Sequence, residues 1–455
     1  MWSGLAASLR CGSVRKTMSS GRRRIFSYDQ YISKRSLLRR PSAIRELQPL
    51  LTIPGMISLG GGMPNKEMFP FQRITAELKD GTSIEIVTPE TVDEALQYSQ
   101  TPGIPRLLRH LEDIQSREHG RSSETTRICV TTGSQDALAK AFDMLLNDGD
   151  SLIIESPTYS GSLAYLEPMS CHLVGVETDQ DGMIPSQLED TLVYWDSRFP
   201  GKRKPKVLYT IPTGGNPTGA TMPNNRKEEV YRICQRHDLL ILEDDPYFYM
   251  QFNQSGRDSS RSTRTKSFFS MDSADGRVVR FDSLSKLLSS GIRIGFATGP
   301  AELIERLELH SQSTTLHTSG ISQSLVASYF DHLESSNPGE SGFYDGFIKH
   351  VNTISDFYLA RRDVFLASAE KHLIGLCEWN TPSAGMFVWL KINGCENSRD
   401  LVKTKGLEAK VLFVPGESFY PCTSGPSPYV RAAYSTASYE DIDEAVRRFA
   451  CLIKS

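Results

Sequence analysis

An α/β fold, with a mainly parallel sheet and a second, smaller α+β unit, is what this sequence predicts, and three observations predict it. After Ile57, short apolar runs alternate with longer amphipathic stretches, the pattern of βα units around a parallel sheet. Most runs are soon followed by Gly, Pro, Asp or Ser, as strand ends entering loops are. Past Ser319 the helical stretches lengthen, and a late apolar run at 385–390 reads as a buried strand of the smaller unit. The chain accordingly divides into a basic N-terminal segment over 1–28, an arm with part of the small domain over 29–90, a large domain over 91–320 and a small C-terminal domain over 321–455.

In chain order, the first 28 residues hold six basic residues (Arg10, Arg15, Lys16, Arg22, Arg23, Arg24), many serines and no acid, and Asp29 is the first carboxylate. That composition fits an organelle transit peptide better than a secretory signal, so a mitochondrial address is expected. A solvated basic tail is the alternative, and translation from Met18 would leave a cytoplasmic protein. The run 127–132 (Arg-Ile-Cys-Val-Thr-Thr) predicts a strand, Gly133-Ser134-Gln135 a turn, and 136–146 a helix from its apolar spacing. Further strands are expected at 151–154, 206–209, 239–242 and 277–281. The polar stretch 254–266 reads as a surface loop or insertion. In sheets of this kind ligands collect at the carboxyl ends of the strands, which directs attention to the residues just after each run.

Composition narrows the function. Among 455 residues, 51 Lys and Arg against 54 Asp and Glu give a net charge of -3, without the basic excess of a nucleic-acid binder. No run approaches the length of a membrane-spanning helix. The eight cysteines are scattered, with no Cys-x-x-Cys or Cys/His cluster, so a reduced compartment and no metal site are expected.

The chemistry gathers at strand ends. Asp282-Ser283-Leu284-Ser285-Lys286 follows one run, with Arg293 seven residues beyond the lysine. Two hydroxyls and a guanidinium fork suit a phosphate dianion, and a lysine beside them suits a Schiff base with an aldehyde cofactor. A solvated lysine in a serine-rich loop is the plain alternative. The run 239–242 leads into Glu243-Asp244-Asp245-Pro246-Tyr247. There Asp244 suits a cationic ring nitrogen, as the electron sink of pyridoxal phosphate needs, and Tyr247 suits a ring oxygen. Ordinary polar punctuation and a core tyrosine are the alternatives. Asn216-Pro217-Thr218-Gly219 fixes an amide at the sheet edge, and Gly133-Ser134-Gln135 opens a helix whose free N–H groups offer an anion site.

Taken together, Gly-Ser-Gln, Asn-Pro-Thr-Gly, Asp-x-x-Tyr, Ser-x-Ser-Lys and Gly-x-Arg-x-Gly follow in this order. The set resembles the fold-type I pyridoxal-phosphate aminotransferases, and most of all the kynurenine/α-aminoadipate aminotransferases. The likeness runs from about Arg40 to the C terminus and includes 57–65, 95–99, 243–247, 384–387 and 426–431. It implies a large domain with a mainly parallel seven-stranded sheet, a smaller α+β domain, and a homodimer with active sites shared across the interface. It further implies that Lys286 binds pyridoxal 5'-phosphate and then acts as the base of the proton shift. Ser134, Gln135, Ser283, Ser285 and Arg293 would hold the phosphate, with Tyr98 reaching over from the other subunit. Asp244 would pair with the pyridine nitrogen, Asn216 and Tyr247 with O3′, and Tyr159 would stack on the ring. Arg431 would clamp the substrate α-carboxylate, a task lysine performs poorly. Arg45, from the segment at 41–45, would bind a distal carboxylate or swing aside, and Gly62, Met63 and Phe387 would line the pocket. The implied reaction moves an amino group from L-2-aminoadipate, L-kynurenine or an aromatic amino acid to 2-oxoglutarate, with ping-pong kinetics.

Two features depart from the relatives' pattern: Gly215 beside Asn216, and the length of 254–266. Two rivals follow from the same residues. A lyase on this scaffold would abstract the same proton but expel a substituent. A transcription regulator with an aminotransferase-like sensor would need a DNA-binding helical module ahead of it, and the segment before Arg40 is too short and too poor in apolar residues for one.

Overall fold

The structure, a computed structural model, describes residues 24–47, 50, 53–121, 124, 126–252, 264–339, 341–421 and 425–455. Most of the basic N-terminal segment and most of the polar stretch at 254–266 lie outside the described residues. A hairpin of β1 (Ile74–Glu77) and β2 (Ser83–Val87) comes first. The large sheet follows with β3 (Thr126–Thr131), β4 (Ser151–Ser156), β5 (His172–Asp179), β6 (Gly182–Met183), β7 (Val207–Thr210), β8 (Leu240–Asp244), β9 (Val278–Ser283) and β10 (Gly295–Pro300). Their order is β3-β10-β9-β8-β7-β4-β5-β6. The run from β5 through β4, β7 and β8 to β9 is parallel, while β10 lies antiparallel to both its neighbours. The seven-stranded sheet implied by the resemblance is therefore present, extended at one edge by the two-residue β6. The smaller sheet is antiparallel, in the order β11-β12-β14-β13, from β11 (Cys377–Trp379), β12 (Phe387–Ile392), β13 (Val414–Pro415) and β14 (Tyr429–Ala433).

The strands of the large sheet are apolar without alternation because both faces are covered. Every residue of β7, β8, β9 and β10 is buried, as expected where helices pack on each side of parallel strands. Successive residues still point to opposite faces. Leu240 and Leu242 enter one core with Tyr209 and Phe281, and Ile241 enters the other with Leu208 and Val278. A third core joins the smaller sheet to the helices Gly320–Ser336, Gly342–Leu373 and Tyr439–Lys454. The observed strands lie within one or two residues of the expected ones, and the expected helix begins at Ser134.

Near its start the described chain is tied to the large sheet's helices and loops. Ile25 donates its N–H to the Asp275 carbonyl at 2.9 Å, the Tyr28 hydroxyl donates to the Gly276 carbonyl at 2.6 Å, and Ser33 Oγ donates to the Asp143 carbonyl at 2.8 Å. Among the described residues no helix is long and apolar enough to cross a membrane.

Candidate active site

Strand alternation places the acid first. Asp244 ends β8 on the face of Leu242, and Glu243 on the face of Ile241. Asp244 is buried, and its Oδ2 accepts the Tyr209 hydroxyl at 2.8 Å, a hydroxyl that in turn accepts from Ser162 Oγ at 2.9 Å. Its Oδ1 is also buried and has no partner. Burial pushes this carboxyl up to about 7, against the Tyr209 hydrogen bond. A cationic donor on the free oxygen would bring it down again.

On the opposite face Glu243 and Asp245 meet Arg280 of β9. The fully buried Arg280 donates from Nη1 to Asp245 Oδ2 at 2.9 Å and from Nη2 to Asp282 Oδ1 at 2.8 Å, and lies 3.3 Å from Glu243 Oε2. This ion cluster fastens the end of β8 to the end of β9, and with it Asp244 to the loop that begins at Ser283.

That loop carries the cations. Lys286 Nζ has no hydrogen bond or ion pair among the described residues. Burial, with Arg293 and Arg431 near, pulls its ammonium below the ordinary lysine value. Arg293, held at φ 56°, donates from Nη1 to Ser285 Oγ at 3.1 Å and from Nη2 to the Thr132 carbonyl at 3.3 Å. Ser283 Oγ accepts the Ser285 N–H at 3.3 Å. Across from them the helix Ser134–Leu145 starts, capped by Gly133 at φ 83°. A Cβ on Gly133 would fall 2.3 Å from Arg293 Nη2, and one on Gly295 would fall 2.5 Å from the Ser134 nitrogen. The two glycines thus let a guanidinium and a helix N terminus converge, which makes an anion cradle. Gln135 donates from Nε2 to the Gly161 carbonyl at 3.1 Å, while its Oε1 is buried without a partner.

The small sheet supplies the third cation. Arg431 of β14 donates from Nη1 to Asn216 Oδ1 at 2.8 Å, and its buried Nε has no partner. No described carboxylate pairs with it. Its Cζ lies 4.4 Å from the Phe387 ring centroid and 5.0 Å from that of Phe419. Tyr247 meets Phe387 edge-on at 5.8 Å. The charges of Asp244, Arg431 and Arg293 are all felt at Tyr159, whose hydroxyl burial pushes up. The strand ends thereby bring together Asp244, Tyr247, Tyr159, Asn216, Lys286, Arg293 and Arg431, with Phe387 at their side.

Four expected residues stand apart from that group within one protomer, among them the exposed Met63. Tyr98 is 48% exposed, sits edge-on to His317 at 6.0 Å, and its hydroxyl has no partner among the described residues. Arg45 is buried, with Nη1 donating to the Ser99 carbonyl at 2.9 Å. Gly62 is exposed, with no atom within 4 Å of where its Cβ would stand. Gly215 fits a tight turn, its Cβ position being 3.0 Å from Thr218 Oγ1. Sequence reasoning missed Tyr209 and Phe419. The first offered only a polar tip inside an apolar run, which any core tyrosine offers, and the second carried no signal beyond a core aromatic.

A carboxylate with one free oxygen, a lysine without a partner and two arginines without a counter-ion among the described residues define an enzyme site for small anions, at the carboxyl ends of a doubly covered sheet. Comparison with known proteins gives the family. The model of the class I and II aminotransferases matches residues 55–449. The mitochondrial kynurenine/alpha-aminoadipate aminotransferase of Bos taurus is 41% identical over 440 residues, covering 94% of this chain and 99% of that one. Among solved structures, the aromatic aminotransferase Aro9 of Candida albicans has a TM-score of 0.81 at 28% identity, covering 94% of this chain and 97% of that one. The kynurenine aminotransferase of Pyrococcus horikoshii, solved with PMP and KYN, has a TM-score of 0.72 at 30% identity, covering 94% and 98%. The chain belongs to the class I and II aminotransferases, a family whose chemistry depends on pyridoxal phosphate.

Proposed function

We propose that this aminotransferase binds pyridoxal 5'-phosphate and moves the amino group of L-2-aminoadipate, L-kynurenine or an aromatic amino acid to 2-oxoglutarate by a ping-pong mechanism. The observation that carries the reading is the buried, unpartnered Asp244 Oδ1 near three cations, Lys286, Arg293 and Arg431, that no described carboxylate neutralises. The residues fit the cofactor: Asp244 Oδ1 awaits a cationic N–H, and the Gly133 cradle would be filled by a Cβ. When bound, pyridoxal phosphate supplies an electron sink for the substrate's Cα.

The chain's own residues then have separate tasks. Ser134, Gln135, Ser283, Ser285 and Arg293 hold the phosphate, with Tyr98 of the second subunit. Asp244 would keep a proton on the ring nitrogen, Asn216 and Tyr247 would hold O3′, and Tyr159 would cover the ring. Lys286 holds the cofactor and, with its affinity for protons lowered by burial and two neighbouring guanidinium groups, moves a proton from Cα. Arg431 orients the α-carboxylate through Nε and Nη2, since Nη1 is already tied to Asn216. Arg45, Gly62, Met63 and Phe387 meet the rest of the substrate.

We place the enzyme in a homodimer with shared sites. Ile57, Leu59, Met68 and Phe71 are more than half exposed on the protomer, an apolar surface of the kind that interfaces cover, and the Tyr98 hydroxyl has no hydrogen-bond partner among the described residues. The domain division at about 320 belongs to the same reading. The mitochondrial names of its relatives and the basic start support mitochondrial localisation. The test is to add α-aminoadipate or kynurenine, separately and without oxo acid, to protein carrying pyridoxal phosphate. The expected outcome is a loss of the yellow colour with one oxo acid released per site. Release of ammonia and a β- or γ-substituent instead would favour the lyase, and no change with any donor would overturn the reading.

A further inference from the structure

We propose that Phe419 is a positioning residue for the substrate α-carboxylate, holding the Arg431 guanidinium in place against the turn that carries Tyr159; the proposal rests on the transaminase reading above. Phe419 ends the short 3-10 turn Gly416–Phe419 and is 0% exposed. Its carbonyl accepts the N–H of Thr158, next to Tyr159, at 2.8 Å. Its ring centroid lies 5.0 Å from Arg431 Cζ, and the Trp389 ring meets it edge-on at 5.4 Å and 90°. Trp389 in turn stacks on Tyr429 at 5.1 Å and 6°. One residue therefore grips the large sheet's loop by its backbone, the small sheet's cation by its face and an aromatic layer by its edge.

The need for such a grip follows from how Arg431 is held. Among the described residues only Nη1 is anchored, on Asn216, and the buried Nε has no partner. A guanidinium fixed at one nitrogen can pivot about that bond, and a bidentate carboxylate contact requires the plane to be set before the ligand arrives. Ring faces set the plane and keep water away from the charge, which strengthens the pair when it forms. Phe419 touches none of the reacting atoms, so its effect passes through Arg431.

This gives a pattern that loss of core packing does not. Amino donor and oxo acceptor present the same α-carboxylate, so both should suffer alike, while discrimination between side chains should not move. The Thr158 contact uses the backbone and survives any side-chain change at 419. In the full-length enzyme saturated with pyridoxal phosphate, Phe419→Leu is expected to raise KM for the donor and for 2-oxoglutarate by about tenfold each. The drop in kcat should be below about threefold, with the kynurenine-to-aminoadipate ratio of kcat/KM unchanged. Phe419→Tyr, which keeps the ring, should retain near wild-type KM values. If either variant fails to fold, phenylalanines of increasing fluorination at 419 keep the shape and drain the ring face of charge. Both KM values should then climb with each fluorine while the unfolding temperature and pyridoxal phosphate uptake stay constant. A flat KM series, or a rise for only one of the two substrates, overturns the proposal and leaves Phe419 a core residue. A wild-type enzyme that turns over no donor would instead defeat the transaminase reading.

Discussion

At the scale of single residues, the site depends on groups left without partners. Lys286 has none among the described residues, so Lys286→Ala should fold normally and lose turnover by about 10⁴-fold or more. Oxo acid release at saturating cofactor measures this, and a variant with full activity would remove the lysine from the mechanism. Asp244→Asn keeps an acceptor for Tyr209 and removes the charge, and kcat should fall roughly 10²–10³-fold. A smaller loss than tenfold would mean that the charge is not used. Arg45 is tied to the Ser99 carbonyl, a bond weak enough to exchange for a ligand carboxylate. Arg45→Ala should therefore raise KM for aminoadipate about tenfold more than for kynurenine, and equal rises would end its selectivity role. Lys286, Asp244 and Asn216 were legible in the sequence because each stands in a polar motif after an apolar run, whereas Arg431, inside strand β14, was reached only through the family resemblance. Tyr209 was not, because its ring belongs to the core and only its hydroxyl to the site. Arg45 was legible as a residue but not as a contact, since long side chains choose partners only in three dimensions.

Elements carry the geometry that residues use. Strands β7, β8 and β9 could be read within one or two residues because burial on both faces makes them continuous apolar runs. Strand β10 escaped notice, as Gly295, Gly299 and Pro300 look like a loop. The glycine that hides the strand is the one that builds the cradle: a Cβ on Gly295 would stand 2.5 Å from the Ser134 nitrogen and 2.9 Å from the Asp282 carbonyl, all backbone that cannot step aside. Gly295→Ala should cost about 1–3 kcal/mol in stability and weaken pyridoxal phosphate binding by about tenfold or more. Thermal unfolding and cofactor titration of the apoprotein check the two losses, and a variant with unaltered cofactor affinity would show that the cradle tolerates the shift. The buried Arg280 cluster was beyond sequence reasoning for a related reason: the register that sets Glu243 beside Arg280 is a property of two strands, and neither strand announces it alone.

For the whole molecule, the α/β plan with a sheet covered on both faces was legible from the alternation of runs, whereas the assembly was implied only by the family resemblance, and one protomer leaves Tyr98, Ile57 and Phe71 exposed. The proposed sharing of sites makes a sharp prediction. Tyr98→Ala and Lys286→Ala homodimers should each be nearly inactive, yet subunit exchange between them should recover about a quarter of wild-type activity, because half the dimers are hybrids and each hybrid has one intact site. No recovery, with exchange confirmed by size and mass, would place Tyr98 in its own subunit's site. The uncompensated cations Arg293 and Arg431 have a practical consequence for anyone handling the protein. A basin that no described carboxylate neutralises is open to whatever small anion the buffer holds. Inorganic phosphate or sulfate will compete with cofactor loading, dicarboxylate buffers will compete with substrate, and constants taken in phosphate will disagree with those taken in an amine buffer at the same pH.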